Sequence, residues 1–247
     1  MSIRLMALVA GIAVLSASEV WAEPTPVMVR ALSADAKFIG GSMGGVRVKL
    51  RDARTGALLA EGLTEGGTGD TNLIMREPRV RGARISDANS AGFRATLDLG
   101  RPTLVRAEAT GPVGKPGSAI TVTSTMWLLP GRPVEGDGWI LTFPGLVVEP
   151  TWKTVAGRLE VKAKVTLMCG CPIEPGGLWD AGRYGVEIAI VGGAIPSRPI
   201  SMTYSGEASV FAASLPRPPR GRYRLLVTAA DQRTPNVGVA EKSIRID

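Results

Sequence analysis

The sequence predicts an all-β protein, two tandem β-sandwiches behind a signal peptide. Three observations predict it. Beyond the N-terminal segment, no long stretch places apolar residues at i, i+3, i+4 and i+7, so amphipathic helices are not expected. Alternation of apolar and polar residues, the period of a half-buried strand, recurs along the chain instead. The 31 glycines and 18 prolines interrupt that alternation at short intervals, as in short strands joined by turns.

The N-terminus reads MSIRLMALVAGIAVLSASEVWA. Arg4 supplies a positive start, Leu5 to Leu15 an apolar core, and Val20-Trp21-Ala22 a cleavage site. The apolar run is too short for a bilayer span and is read as a secretory signal cleaved after Ala22. The expected location is therefore the periplasm, with no transmembrane segment in the mature chain. The formal charge of +7 is unchanged by cleavage, which removes Arg4 and Glu19 together. A basic exported protein meets anionic lipid, cell-wall polymer or acidic partners. Nucleic acid is not an expected partner, since no recognised binding module accompanies the charge. The chain has no histidine, which removes Ser-His and Cys-His catalysis and histidine metal sites.

The first domain is expected over 23–150, with strands near 27–33, 44–53, 56–64, 92–99, 103–110, 119–129 and 139–148. In GGVRVKLRD, Val46, Val48 and Leu50 share one face and Arg47, Lys49 and Arg51 the other. The second domain is expected over 151–247, with strands near 158–169, 184–191, 199–205, 208–215, 222–230 and 240–246. In RLEVKAKVTL, Leu159, Val161, Ala163, Val165 and Leu167 alternate with charged residues. The boundary is placed at Pro150, between WILTFPGLVVEP and TWKTVAG. The alternative is one larger β unit, with Trp152 packed across a tight interface.

Two fold-level resemblances follow from quoted stretches. GGVRVKLRDARTGALLAEGLTEGGTGD has an alternating strand, a D-x-x-T-G turn at Asp52, Thr55 and Gly56, a second strand, and a turn with Thr64 and Gly69. It resembles the start of a carboxypeptidase-regulatory or transthyretin-like domain. GRYRLLVTAADQRTPNVG, in the second half, resembles a late strand and turn of bacterial immunoglobulin-like or fibronectin-like modules. Both resemblances imply recognition or scaffold modules, although fold alone does not decide function.

The two cysteines, Cys169 and Cys171, lie in LMCGCPIEPGG. They continue the inward parity of Leu159 to Leu167, so both sulfurs are expected on the core side at the rim of a sheet, with Met168 pointing the other way. Gly170 and Pro172 bend or end the strand there. Three readings of the pair stand. An oxidising compartment favours a disulfide between them. Two thiolates, with Met43, Met126 or Met202 brought near by folding, would suit Cu(I) as a soft-ligand metal site. A CxC pair would also serve thiol–disulfide exchange.

The remaining features are plainer. Glu65 to Leu73, EGGTGDTNL, lacks the lysine of a phosphate loop and reads as a hairpin connection; Glu65 and Asp70 alone are too few oxygens for calcium. Arg76, Arg79, Arg81 and Arg84, and Arg217, Arg220, Arg222 and Arg224, read as solvated surface, with an anion-binding patch as the minority reading. Arg222 and Arg224 are expected to face solvent while Tyr223 packs inward. Trp127, Trp139, Trp152 and Trp179 are expected in cores or interfaces. The functional expectation is a non-catalytic binding or assembly module of the cell envelope. Its binding surface would lie around Met168, Glu174, Trp179 and Asp180, beside the thiols.

Overall fold

The structure is a computed structural model that describes residues 22–192 and 198–247. Residues 1–21 of the expected signal peptide lie outside the described residues. The elements are strands joined by loops and by helical turns of three to five residues.

Seven strands build the first lobe: β1 (Glu23–Ser33), β2 (Arg47–Asp52), β3 (Leu58–Leu63), β4 (Phe93–Leu99), β5 (Thr103–Gly111), β6 (Ile120–Leu128) and β7 (Val134–Phe143). They form two sheets, ordered β4-β1-β7 and β3-β2-β5-β6. Every pairing is antiparallel except that of β1 with β7. The inward residues of the two sheets, among them Val27, Val29, Val48, Leu50, Leu97, Val105 and Leu141, make the first core. The D-x-x-T-G turn forms as its residues require. An Asp52 carboxylate oxygen accepts the Arg54 and Thr55 amides at 2.8 and 3.0 Å, and Gly56 takes a φ of 77°, which glycine adopts without steric cost.

Eight strands follow in the second lobe: β8 (Leu146–Val155), β9 (Arg158–Leu167), β10 (Tyr184–Val191), β11 (Ile200–Ser201), β12 (Thr203–Tyr204), β13 (Val210–Pro216), β14 (Gly221–Asp231) and β15 (Val237–Ile246). Their sheets run β11-β10-β14-β15 and β12-β13-β9-β8, and all pairs are antiparallel. Between them lies a second core that includes Leu159, Val161, Val165, Ile173, Val186, Ile188, Phe211, Leu225 and Val227. The strand expected at 199–205 is split. β11 joins one sheet and β12 the other, and the buried Met202 sits at the switch.

Three expectations need correction. The strand expected at 139–148 is two strands, broken at Pro144-Gly145, where proline removes a donor and Gly145 takes a φ of 144°. Pro150 lies inside β8, paired with Ala163. The Gly-rich stretch is not a hairpin connection. It opens a long excursion from β3 to β4, which belong to opposite sheets. That excursion bridges back on itself through Glu65 with Gly92 and Gly67 with Ser90. It also covers a small third core of Phe38, Ile74 and Ala91. Asp70 there caps a local turn by accepting the Leu73 amide at 2.8 Å. Trp152 lies on β8 beside Lys153, Val155 and Arg158, 39% exposed, instead of packed across the interface.

Candidate functional site at the junction of the lobes

The two cysteines lie where β9 leaves the second sandwich and meets the first. Alternation continues past the end of the strand. Leu167, Cys169, Cys171 and Ile173 enter the second core, while Met168 enters the first. The cysteines form a disulfide with Cα atoms 5.4 Å apart. Between them Gly170 takes a φ of 77°, and its amide donates to the Leu167 carbonyl at 2.8 Å. A side chain at position 170 would also meet the first lobe: an added Cβ would stand 2.7 Å from the Met43 sulfur. Glycine is therefore required there by backbone angle and by close approach. Met43 is thus at the thiol turn. Met202 belongs to the same core as the cysteines, whereas Met126 packs against the core of the first lobe.

The surface expected around the thiols is largely interior. Cys169, Cys171, Met168 and Trp179 are all buried. The Trp179 indole N–H donates to the Asp35 carbonyl of the first lobe at 2.7 Å, so the ring is a strut between lobes. Glu174 is exposed, and Asp180 is half-buried. The Asp180 carboxylate accepts the Gly176 amide at 2.9 Å, and the Glu174 amide donates to the Trp179 carbonyl at 3.1 Å. These two acids close a turn. Among the described residues, no group of three or more His, Cys, Asp or Glu is placed to hold a metal ion.

Four residues that hold the junction escaped the sequence reading. Asp35 follows β1, and its carboxylate accepts the Arg183 guanidinium at 3.1 Å. Arg183 also binds Asp231 of its own lobe through two nitrogens, at 2.7 and 3.3 Å. The Asp231 carboxylate is further held by the Arg233 amide at 3.0 Å and the Thr234 hydroxyl at 2.8 Å. Burial raises its pKa, but these hydrogen bonds and the Arg183 charge outweigh burial and hold it below the ordinary carboxylate value. Burial likewise disfavours the Arg183 charge, and its bonds to Asp231 and Asp35 more than reverse that. Next to it, burial and the Asp231 charge push the Tyr184 hydroxyl up. Asn236, wholly buried, bridges the lobes from the β14–β15 turn. It donates to the Ala34 carbonyl at 2.9 Å and accepts the Gly145 amide at 2.8 Å.

A signal for one of the four was present. In RLLVTAAD, Asp231 continues the inward parity of Leu225, Val227 and Ala229, and an inward acid must find partners. Nothing local marks Arg183 as its partner, because they are 48 positions apart in sequence.

No family model matches this chain, and no curated protein matches it. Similar solved structures include a DUF3823 family protein of Bacteroides uniformis, 14% identical, covering 91% of this chain and 100% of that one at a TM-score of 0.29. The chicken interferon gamma receptor alpha chain is 11% identical, covering 90% and 97% at 0.35. A putative carbohydrate binding protein of Bacteroides uniformis is 8% identical, covering 91% and 100% at 0.27. TM-scores this low carry no argument about function.

Proposed function

We propose that this protein is an exported, non-catalytic binding or assembly module of the cell envelope, periplasmic after cleavage following Ala22. The observation that carries the reading is the use made of its most conspicuous side chains. Cys169, Cys171, Met168 and Trp179 are all buried at the junction: the disulfide closes within the second core, Met168 enters the first, and Trp179, the Asp35–Arg183–Asp231 bridge and Asn236 tie the two sandwiches together. Such a joint gives fixed spacing between the outer sheet faces, which a recognition scaffold needs. The Asp52–Gly56 turn supports placing the first lobe among carboxypeptidase-regulatory or transthyretin-like modules. The late-strand motif of the second lobe supports a likeness to immunoglobulin-like modules.

A second reading rests on the Met43 thioether lying against Gly170, the residue that separates the two cysteines. If the pair were reduced, two thiolates and a thioether would form a soft donor set for Cu(I). Metal content of the purified mature protein decides between the two. The binding-module reading expects no stoichiometric copper, and saturable binding to an envelope fraction that survives Cys169→Ser with Cys171→Ser. Copper bound one to one, and lost in that variant, would overturn it in favour of the copper reading. A thiol–disulfide factor would instead exchange readily with a thiol reporter, which this buried pair is expected to resist.

A further inference from the structure

The outer face of the β10-β14-β15 sheet carries a charge arrangement that the junction does not explain. In β14 the inward residues Leu225, Val227 and Ala229 leave Arg222 and Arg224 facing out. In β15, Ile244 and Ile246 face in and leave Ser243 and Arg245 outward. The register sets Arg222 directly opposite Arg245 and Arg224 opposite Ser243. Like charges directly opposed on neighbouring strands are destabilising. Local acids answer only part of this charge. Arg224 pairs with Glu241 at 2.9 Å and Arg245 with Asp247 at 3.0 Å, all of them exposed. Among the described residues, the side chains of Arg222 and Arg220 have no ion-pair or hydrogen-bond partner. A shallow depression of ≈ 490 Å³ lies on this face, lined by Arg222, Arg224, Ser243 and Arg245 with Val191. A second, adjoining depression brings Arg220 beside Arg222 and Arg245.

We infer that this face binds a linear polyanion, a polymer carrying oxyanions at short regular intervals. Guanidinium forks suit such groups because they offer paired donors to phosphate or carboxylate. The spacing argues for a chain in preference to one ion. Arg222 and Arg224 are about 7 Å apart along the strand, and Arg245 stands about 5 Å across from Arg222. Successive oxyanions of an extended polymer can engage all three at once along such a row. The Ser243 hydroxyl adds a neutral donor in the same row. This inference rests on the binding-module reading and assigns it a ligand class, at a face remote from the thiols.

The test uses the full mature protein with a short linear polyphosphate as probe, titrated calorimetrically at low and moderate salt. Saturable binding that weakens with salt is expected. Arg222→Ser with Arg245→Ser should weaken it about tenfold or more, because two charge-assisted forks are lost. Arg79→Ser with Arg81→Ser removes the same net charge from the β3–β4 excursion and should change affinity less than about twofold. Arg222→Lys with Arg245→Lys keeps the charge, and should restore part of the affinity if the forks matter. Absence of binding would overturn the inference, as would equal loss in the two serine variants. Inorganic phosphate binding as tightly as the polymer, or phosphatidylglycerol vesicles binding where polyphosphate does not, would overturn it too. None of these outcomes bears on copper content, so failure here is distinguishable from failure of the binding-module reading.

Discussion

The two carboxylates that hold Arg183 should be far from equivalent. Consider Asp231→Asn and Asp35→Asn, isosteric changes that each remove one charge. Both oxygens of Asp231 are occupied by donors: one by the Arg233 amide and Arg183 Nε, the other by the Thr234 hydroxyl and Arg183 Nη2. An asparagine amide in either orientation therefore sets a donor against donors. Its side chain is 0% exposed and that of Arg183 15% exposed, so neither mismatch can be relieved by water. Breaking a buried pair on one side costs several kcal/mol, and the surviving Asp35 contact reduces that to about 3 kcal/mol. Asp35 offers only one oxygen to Arg183, and its side chain is 40% exposed. Asparagine there can turn its carbonyl to Arg183, and it tolerates the φ of 53° at this position. The expected cost is about 1 kcal/mol or less. Equilibrium urea unfolding followed by tryptophan emission gives both values, with unchanged slopes showing a comparable transition. A cost for Asp35→Asn as large as that for Asp231→Asn would refute the account of the bridge.

Other predictions follow from the same junction. Asn236→Ala leaves the buried Gly145 amide and Ala34 carbonyl unpaired and should cost about 3 kcal/mol, read in the same unfolding experiment. Because the Asp231 pKa is depressed on folding, its contribution is present above the ordinary 3.8 and is lost as pH falls through the folded value. Near-UV circular dichroism should thus show acid loosening below about pH 4, less marked in Asp231→Asn than in the wild-type chain. Cys169→Ser with Cys171→Ser opens a ring with one residue between the cysteines. It should lower stability by only about 1–2 kcal/mol in the chain-entropy account, giving a small fall in the urea midpoint. Gly170→Ala should cost about 2 kcal/mol, from left-handed backbone and contact with Met43, where Gly56→Ala, with open space around it, pays only the backbone part.

Much of the architecture was legible because it rests on local periodicity. Alternation in GGVRVKLRD and RLEVKAKVTL fixed which faces of β2 and β9 are buried, and the same parity carried correctly through Cys169 and Cys171 and sent Met168 the other way. What stayed illegible was long-range. Pro144-Gly145 and Pro150 look alike as breaks, yet only the first interrupts a strand, since Pro150 keeps its place in β8 against Ala163. Trp152 and Trp179 are equally plausible interface residues by composition, and only the carbonyl of Asp35 distinguishes them. The burial of Met168 and Trp179 was hidden for the same reason. Only contact between the lobes turns Met168 and Trp179 inward, while Glu174 to Leu178 of the same loop stay exposed. Conversely, the opposed Arg222 and Arg245 are invisible in sequence, because strand register and not spacing brings them together.

The Met168 thioether has a consequence for how the molecule comes apart. A strand rooted in one hydrophobic interior surrenders its next residue to the other, so each half completes its neighbour. Severing the chain at Gly145 and preparing the halves separately would leave a void in the first and an uncovered methionine on the second. Heating the intact protein should accordingly give one calorimetric peak, where two free-standing modules on a tether would give two.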